Sequence, residues 1–178
     1  MTEKRIAQRY AKALFLIAQD EQKMEILHNN ILYIQNVLQK SRDLTLLLKN
    51  PIISPNKKIR ILEDIFGSNV DDIIIKFLIF VVKKNRENLV SNILAEFIDM
   101  YNEANNLVEV EIVSAHPLND QSKEKIIESV SKLINKNVIP RYKINPKIIG
   151  GIQLKFADYL YDASVKKQLE TLNNILSN

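Results

Sequence analysis

Apolar residues in the first part of the chain recur at three- and four-residue spacing, which is the pattern of an amphipathic helix. The first such stretch runs from Thr2 to Gln19 and the second from Met24 to Lys40. A short third stretch, Leu44 to Leu48, is followed by Asn50-Pro51, and proline disfavours helical backbone in the residue before it. The pattern therefore predicts three helices before this proline.

Three more helices are predicted before the pattern changes. Ser54-Pro55 is typical of an N-cap and a first helical residue, and we expect Gly67 to end that helix in a left-handed conformation. Asp71-Asp72 and Lys83-Lys84 flank the fifth helix, with carboxylates at its positive end and lysines at its negative end. The sixth helix is predicted from about Arg86 to Asn102. Short turns between these helices predict a compact bundle.

The periodicity changes from helical to strand spacing after Asn105-Asn106. Apolar residues there alternate with Glu109 and Glu111, which is typical of a strand with one face in water. We therefore place a domain boundary at this point. The predicted fold class is mainly α, with an N-terminal six-helix bundle in residues 1–105 and a small α/β (α+β) domain with a short mixed sheet in residues 106–178.

The second domain is predicted to contain two further strands and two helices. Asn119 is expected to cap the first helix, and Pro140 marks the strand near Val138–Ile144 as an edge or irregular strand. Ile152–Phe156 alternates as a third strand, and Asp162-Ala163 is expected to form a turn. The order strand, helix, strand, strand, helix predicts one parallel crossover and one antiparallel pair. The last helix is expected to have Ser164 as its cap and an apolar stripe of Val165, Leu169, Leu172 and Leu176.

The first and fifth helices carry more apolar residues than one buried face requires. In particular, Ile73–Val82 is apolar on nearly every side. Two interpretations fit this excess, and the pattern does not separate them. In the first interpretation, the fifth helix is the central, fully buried element of the bundle. In the second, the first and fifth helices share a groove that accepts an amphipathic helix from another protein.

Composition argues against catalysis and metal binding. The chain has no cysteine and only two histidines, so a His/Cys metal site is excluded in practice. Neither His28 nor His116 has a nucleophile or carboxylate at a spacing typical of a catalytic site. The 25 basic and 21 acidic residues are interspersed, which is typical of a mixed solvated surface rather than a nucleic-acid footprint. We predict no catalytic, cofactor-binding or metal site.

Gly150-Gly151 is the one glycine pair in the sequence. A phosphate-binding turn would need a third glycine, a following lysine with serine or threonine, and a helix that starts at once, and none of these is present. We predict instead a bend where another stretch of backbone packs closely.

The sequence predicts no membrane-spanning helix. Its most apolar window, Ile73–Val82, is about half the ~20 residues that a span needs, and Lys76 interrupts it. The N-terminus has no signal-type apolar core after a basic start. We therefore expect a protein that stays inside the cell and reaches a membrane only through partners.

Five segments, in order over essentially the whole chain, carry a family resemblance. They are RIAQRYAKALFLIA, LLLKNPIISPNKKIRIL, FLIFVVKKNRENLV, VEVEIVSAHPLN, and a closing stretch that runs from INPKIIGGIQLKF through DASVKKQLETL. Together they resemble the delta subunit of F-type ATP synthases, which is called the oligomycin-sensitivity conferral protein in mitochondria. The closing stretch, with its two glycines and its Asp-Ala-Ser turn, is the most specific, and it departs from the family at Ala163, where members often carry glycine.

The resemblance implies a non-catalytic peripheral stalk, or stator, subunit without cofactors. It implies that the helical bundle binds the N-terminal helix of a catalytic-head alpha subunit and that the second domain binds the C-terminus of the b-subunit stalk. Such a protein resists rotor torque during proton-driven ATP synthesis, as a peripheral membrane protein on the cytoplasmic side of a bacterial inner membrane.

The same resemblance implies two sets of partner-binding residues. The groove for the alpha subunit would involve Tyr10, Ala13, Leu14 and Ile17 of the first helix with Ile74, Phe77, Leu78 and Val81 of the fifth. The stalk-binding set would be Gly150, Gly151, Leu169 and Leu172.

Other functional classes remain open from the residues alone: a helical nucleic-acid-binding protein, another protein-interaction adaptor, or a small enzyme. Binding that collapses with salt would favour nucleic acid. A perturbed carboxylate in a deep pocket would favour an enzyme.

Overall fold

The computed structural model describes residues 3–156 and 159–176, and side chains of the last helix up to residue 174. Thr2, the predicted start of the first helix, and the side chain of Leu176 lie outside this described part. The chain divides into two compact units, Met1–Tyr101 (unit 1) and Asn102–Asn178 (unit 2). The boundary predicted at residues 105 and 106 lies just beyond this division.

All regular secondary structure in the described residues of unit 1 is helical, as predicted. A 3₁₀ turn, Glu87–Leu89, precedes its last helix, which continues past Tyr101. The helices are α1 (Glu3–Asp20), α2 (Met24–Lys40), α3 (Arg42–Lys49), α4 (Pro55–Phe66), α5 (Asp72–Lys83) and α6 (Val90–Ala104).

Local hydrogen bonds explain where several of these helices begin. The Ser41 hydroxyl accepts the N–H of Leu44 at 3.2 Å at the start of α3, and the Asp71 carboxylate accepts the N–H of Ile73 at 3.0 Å at the start of α5. Ser54 has extended backbone at the N-cap of α4, but its side chain makes no capping hydrogen bond. Proline at the first helical position supplies the start signal there.

The predicted left-handed Gly67 is wrong, because this residue has right-handed helical backbone with φ −56° and ψ −32°. The chain turns once more in the right-handed sense after α4, with the N–H of Asn69 donating to the carbonyl of Phe66 at 2.9 Å. A steric reason for glycine remains. A Cβ at this position would lie 2.5 Å from the carbonyl oxygen of Glu63.

The core of unit 1 is built from one buried stripe on each long helix. On α1 three of the four buried residues are alanines, so neighbouring helices can approach it closely. Leu14 is the fourth. The buried residues of α5 are Ile74, Phe77, Leu78, Val81 and Val82.

Unit 2 is a four-stranded mixed sheet with two helices. The strand order is β2-β1-β3-β4, with β1 parallel to β2, β1 antiparallel to β3, and β3 antiparallel to β4. Its core contains Val110, Ile112 and Leu154 of the sheet and Val130 of the first helix. The elements are β1 (Leu107–Ser114), α7 (Asp120–Ile134), β2 (Asn137–Ile144), a 3₁₀ turn (Pro146–Ile148), β3 (Gly151–Phe156), β4 (Tyr159–Ser164) and α8 (Val165–Leu176).

Several predictions for unit 2 are confirmed. The Asn119 side chain accepts the N–H of Ser122 at 2.8 Å and so caps α7. The strand that contains Pro140 lies at the edge of the sheet. No strand pairs with its outer side, so proline, which lacks an N–H, is tolerated in such a strand. The Ser164 hydroxyl accepts the N–H of Lys167 at 3.2 Å at the start of α8.

The predicted turn at Asp162-Ala163 is wrong, because both residues lie in β4. The sheet therefore contains a second antiparallel pair that the sequence did not predict. Asp162 bonds within the sheet: its carboxylate accepts the N–H of Ser164 and the side-chain amide of Gln153, each at 2.9 Å. The predicted fold class, mainly α with a small mixed sheet, is confirmed.

Candidate partner-binding surfaces

A groove of about 840 Å³ lies between α1 and α5 in unit 1. Its lining residues on α1 recur at helical spacing, and so do those on α5, so each helix contributes one continuous stripe. We call it the α1–α5 groove. It is lined by Ile6, Arg9, Tyr10, Ala13 and Ile17 on one side and by Ile73, Lys76, Phe77, Phe80 and Arg86 on the other.

The two helices run antiparallel along this groove. Lys23, just after α1, donates to the carboxylate of Asp71, just before α5, with the two atoms 2.8 Å apart. Further along, the rings of Tyr10 and Phe80 lie with their centroids 6.0 Å apart. The Asn30 side chain of α2 accepts the N–H of Asp71 at 2.6 Å, which ties the start of α5 to a third helix.

Of the eight residues predicted for a groove, Tyr10, Ala13, Ile17 and Phe77 line it. The other four are buried in the core of unit 1 and do not line it. They are Leu14, Ile74, Leu78 and Val81, each 1% exposed or less.

A single helical step explains this error. The core stripe of α5 includes Ile74, Leu78 and Val81, whereas Ile73, Lys76 and Phe80 belong to the groove stripe. One residue along a helix is a rotation of about 100°. Both stripes of this helix are mostly apolar, so hydrophobicity alone does not tell the buried stripe from the open one.

Sequence reasoning missed six lining residues. Phe80 is 46% exposed although it is aromatic, and it stands seven residues after Ile73 on the same stripe. Lys76 interrupts the apolar run of α5, and a charge in such a run marks the face that is open to water. The six are Ile6, Arg9, Ile73, Lys76, Phe80 and Arg86.

The charged residues that line the groove are all cations: Arg9, Lys76 and Arg86. Near the same wall, the Lys84 ammonium lies 5.7 Å from the centroid of the Phe80 ring. Two carboxylates close in sequence to the lining are engaged by lysines: Asp71, two residues before Ile73, by Lys23, and Glu87, directly after Arg86, by Lys58. The hydrogen bond from Lys23, together with the N–H of Ile73, holds the pKa of Asp71 below its usual range.

A second apolar surface lies on α8 in unit 2. Leu169 and Leu172 are 52% and 54% exposed, and Val165 on the same stripe is also exposed. We call these three residues the α8 stripe. Two of the residues predicted to bind the stalk therefore present apolar surface to solvent.

The other two predicted stalk residues, Gly150 and Gly151, form a tight bend, as predicted from the glycine pair. Gly151 has a φ of +73°, and a Cβ there would overlap the carbonyl oxygen of Ala163 and lie 3.1 Å from the Cα of Ser164. A Cβ at Gly150 would lie 3.1 Å from a methyl carbon of Val165. Both glycines thus pack against the β4–α8 junction.

Within the described part of the chain, no group of three or more His, Cys, Asp or Glu side chains could hold a metal ion. His28 stacks on Tyr101 with ring centroids 3.7 Å apart, and burial lowers the pKa of its imidazole. Among the described helices, none is long and apolar enough to span a membrane.

Comparison with known proteins places the chain in a family. The profile of the ATP synthase delta (OSCP) subunit family matches residues 6–176. The ATP synthase subunit delta of Desulforamulus reducens is 31% identical over 96% of this chain and 94% of its own. That of Pelodictyon phaeoclathratiforme is 33% identical over 96% of each chain.

A solved structure supports the fold. One chain of the Toxoplasma gondii mitochondrial ATP synthase hexamer superposes with a TM-score of 0.74 over 100% of this chain and 99% of its own, at 19% identity. At that identity the likeness shows the fold alone. The sequence matches, in contrast, cover nearly the whole chain. This chain therefore belongs to the ATP synthase delta (OSCP) subunit family, and it is a non-catalytic component of the peripheral stalk of ATP synthase.

Proposed function

We propose that this subunit clamps the catalytic head of an F-type ATP synthase to its stator. In this proposal the α1–α5 groove binds the N-terminal helix of an alpha subunit, and unit 2 binds the C-terminus of the b-subunit stalk through the α8 stripe. The clamp resists the torque that the rotor exerts on the head during proton-driven ATP synthesis. The protein is then a peripheral membrane protein on the cytoplasmic side of a bacterial inner membrane, where the complex holds it.

The observation that carries the proposal is the pair of exposed apolar stripes along the α1–α5 groove. Ile17 is 42% exposed and Phe80 is 46% exposed, although each belongs to a helix that already buries a different stripe in the core. Exposed apolar side chains on both walls of a groove favour an amphipathic helix as its ligand, because such a helix offers anchors at matching i, i+3, i+4 and i+7 spacing.

Burial of this surface would supply the affinity. Apolar area contributes about 25 cal/mol per Å² removed from water, and much of that gain is offset by the ordering of the bound helix. No bond-making chemistry is required of the subunit. Its task is to hold two partners at once.

The experiment that tests the groove is calorimetric titration of the full chain with the N-terminal peptide of the alpha subunit from the same complex. Phe80→Asp places a carboxylate on the exposed wall without removing a fully buried side chain, so the fold is expected to persist. We expect it to reduce peptide binding below detection while the circular dichroism spectrum stays native.

The matched control is Ile52→Asp, which makes the same kind of change at a residue that is 90% exposed and outside the groove. We expect this variant to bind the peptide like the unmodified chain. Unchanged affinity in Phe80→Asp would refute the assignment of the groove to the alpha subunit.

A further inference from the structure

We propose that the α1–α5 groove selects an acidic amphipathic helix, whose carboxylates lie opposite Lys76 and, above all, Arg86. The inference rests on the proposed function, since it names the chemistry of the partner helix. It concerns which helix the groove accepts rather than whether the groove binds one.

The charge of the lining is the first support. The ten lining residues include three cations and no carboxylate. These cations stand among apolar side chains, where water is excluded once a ligand binds and where charge interactions are stronger than in bulk water. A basic helix in the groove would face charges of its own sign, while an acidic helix would face charges of the opposite sign.

The distribution of charge along the groove is the second support. Because α1 and α5 are antiparallel, one end lies near Ile17 and Ile73 and the other near Tyr10 and Phe80. At the first end the ion pair of Lys23 and Asp71 brings a carboxylate close to the lining.

More of the cations stand toward the second end. Arg9 precedes Tyr10 in α1, and Arg86 follows the end of α5. Lys84 lies against the Phe80 ring at the same end. Lys76 stands nearer the first end, one helical turn after Ile73, whose N–H donates to the Asp71 carboxylate at 3.0 Å. Asp71 therefore offsets part of the attraction of Lys76 for a partner, and Arg86 should discriminate more strongly.

A peptide series tests the selection directly. The full chain is titrated with synthetic helical peptides that share one apolar stripe and differ only at the flanking positions, which carry Glu, Gln or Lys. We expect the Glu peptide to bind most tightly and the Lys peptide least tightly, with the difference shrinking at high salt. Equal affinity for the three peptides would overturn the proposal.

A charge swap then identifies the residue. We expect Arg86→Glu to weaken binding of the Glu peptide about fivefold to tenfold and to strengthen binding of the Lys peptide. A change of this size is expected when the charge of one partner is reversed at a partly exposed site. The matched control is Arg60→Glu, the same substitution at an exposed position of α4 outside the groove. Lys76→Glu should have a smaller effect than Arg86→Glu. If Arg86→Glu behaves like Arg60→Glu, or if Lys76→Glu has the larger effect, the assignment to Arg86 is wrong.

The Phe80→Asp variant separates this inference from the proposed function. In one outcome, Phe80→Asp abolishes binding of the alpha-subunit peptide while Arg86→Glu has no effect on binding. That result would support the groove as the binding site of the alpha subunit and refute charge selection. Intact binding in Phe80→Asp would refute the groove itself.

Discussion

The Nζ atom of Lys58 lies 2.6 Å from Oε1 of Glu87, and the lysine side chain is only 1% exposed. The same ammonium donates to the carbonyl of Leu48 at 2.9 Å. One cation thus joins α4, the C-terminal end of α3 and the 3₁₀ turn that follows α5. A lysine is rarely buried so completely unless it is paired, and here it bonds to groups on two other elements.

Loss of Lys58 should destabilise unit 1 severely. In Lys58→Met the Glu87 carboxylate stays partly buried without its cation, and removal of one partner of a buried pair costs about 3–5 kcal/mol. The second carboxylate oxygen of Glu87 is already buried without a hydrogen bond to any described residue, which adds to the expected cost. Chemical denaturation followed by circular dichroism measures the change.

The double variant Lys58→Met/Glu87→Leu is the control for this prediction. Replacement of both charges by apolar groups should restore most of the lost stability, because neither charge is left unpaired. If Lys58→Met alone lowers the free energy of unfolding by less than about 1 kcal/mol, the ion pair does not contribute substantially to the stability of unit 1.

Gly151 should tolerate no side chain. Its φ of +73° is in the left-handed region, which costs an L-residue about 1–2 kcal/mol before any overlap is counted. In Gly151→Ala the new methyl group would also overlap the Ala163 carbonyl of β4. We expect a marked drop in the melting temperature of unit 2, measured by thermal unfolding of the full chain.

Gly150→Ala provides the comparison. Its Cβ would meet only the side chain of Val165, at 3.1 Å, and that side chain can shift. The loss should therefore be clearly smaller than for Gly151→Ala. Equal losses would show that the left-handed backbone and the close approach of β4 are not the reasons for glycine at residue 151.

Local signals were enough to predict most of the fold. The bounds of α2, the Asn119 cap and the edge position of β2 each follow from neighbouring residues. β4 was missed because Tyr159, Leu160 and Tyr161 are all exposed at the edge of the sheet and show no alternation. Edge strands with two solvated faces carry a weak period-two signal.

The site was predicted less completely, for a different reason. The sequence indicates that α1 and α5 carry more apolar surface than one buried face requires. Helical rotation, however, decides whether Ile74 or Phe80 faces the groove, and both side chains are large and apolar. Packing against the other helices settles that rotation. The Lys58–Glu87 pair could not be predicted either, since its members stand 29 residues apart and only the tertiary fold brings them together.

Acid should weaken the link between the end of α1 and the start of α5. The hydrogen bond from Lys23 lowers the pKa of Asp71 below its unfolded value of about 3.9, so the folded state stabilises the carboxylate. This contribution is fully present above the unfolded pKa and is lost as the pH falls through the folded pKa. Stability from this pair is therefore constant near neutral pH and declines below about pH 4.

The variant Asp71→Asn isolates the charge, because asparagine still caps a helix. It should lower stability at neutral pH and flatten the decline of stability in acid, as measured by denaturation over a series of pH values. Asp64→Asn, at an exposed position of α4, is the matched control. A decline in acid that is equally steep in Asp71→Asn and in the unmodified chain would contradict this role of the Lys23–Asp71 pair.

The α8 stripe should be the surface through which unit 2 binds the stalk. Leu169 and Leu172 are exposed, so Leu169→Asp/Leu172→Asp changes a surface rather than the core and should leave the circular dichroism spectrum native. We expect this variant to lose binding to a C-terminal peptide of the b subunit and to keep binding to the alpha-subunit peptide. The control is Thr171→Asp/Asn174→Asp, which adds the same charge at exposed positions of α8 outside the stripe. If both double variants lose stalk binding equally, net charge is responsible rather than apolar contact, and if neither loses it, the stalk binds elsewhere on the subunit.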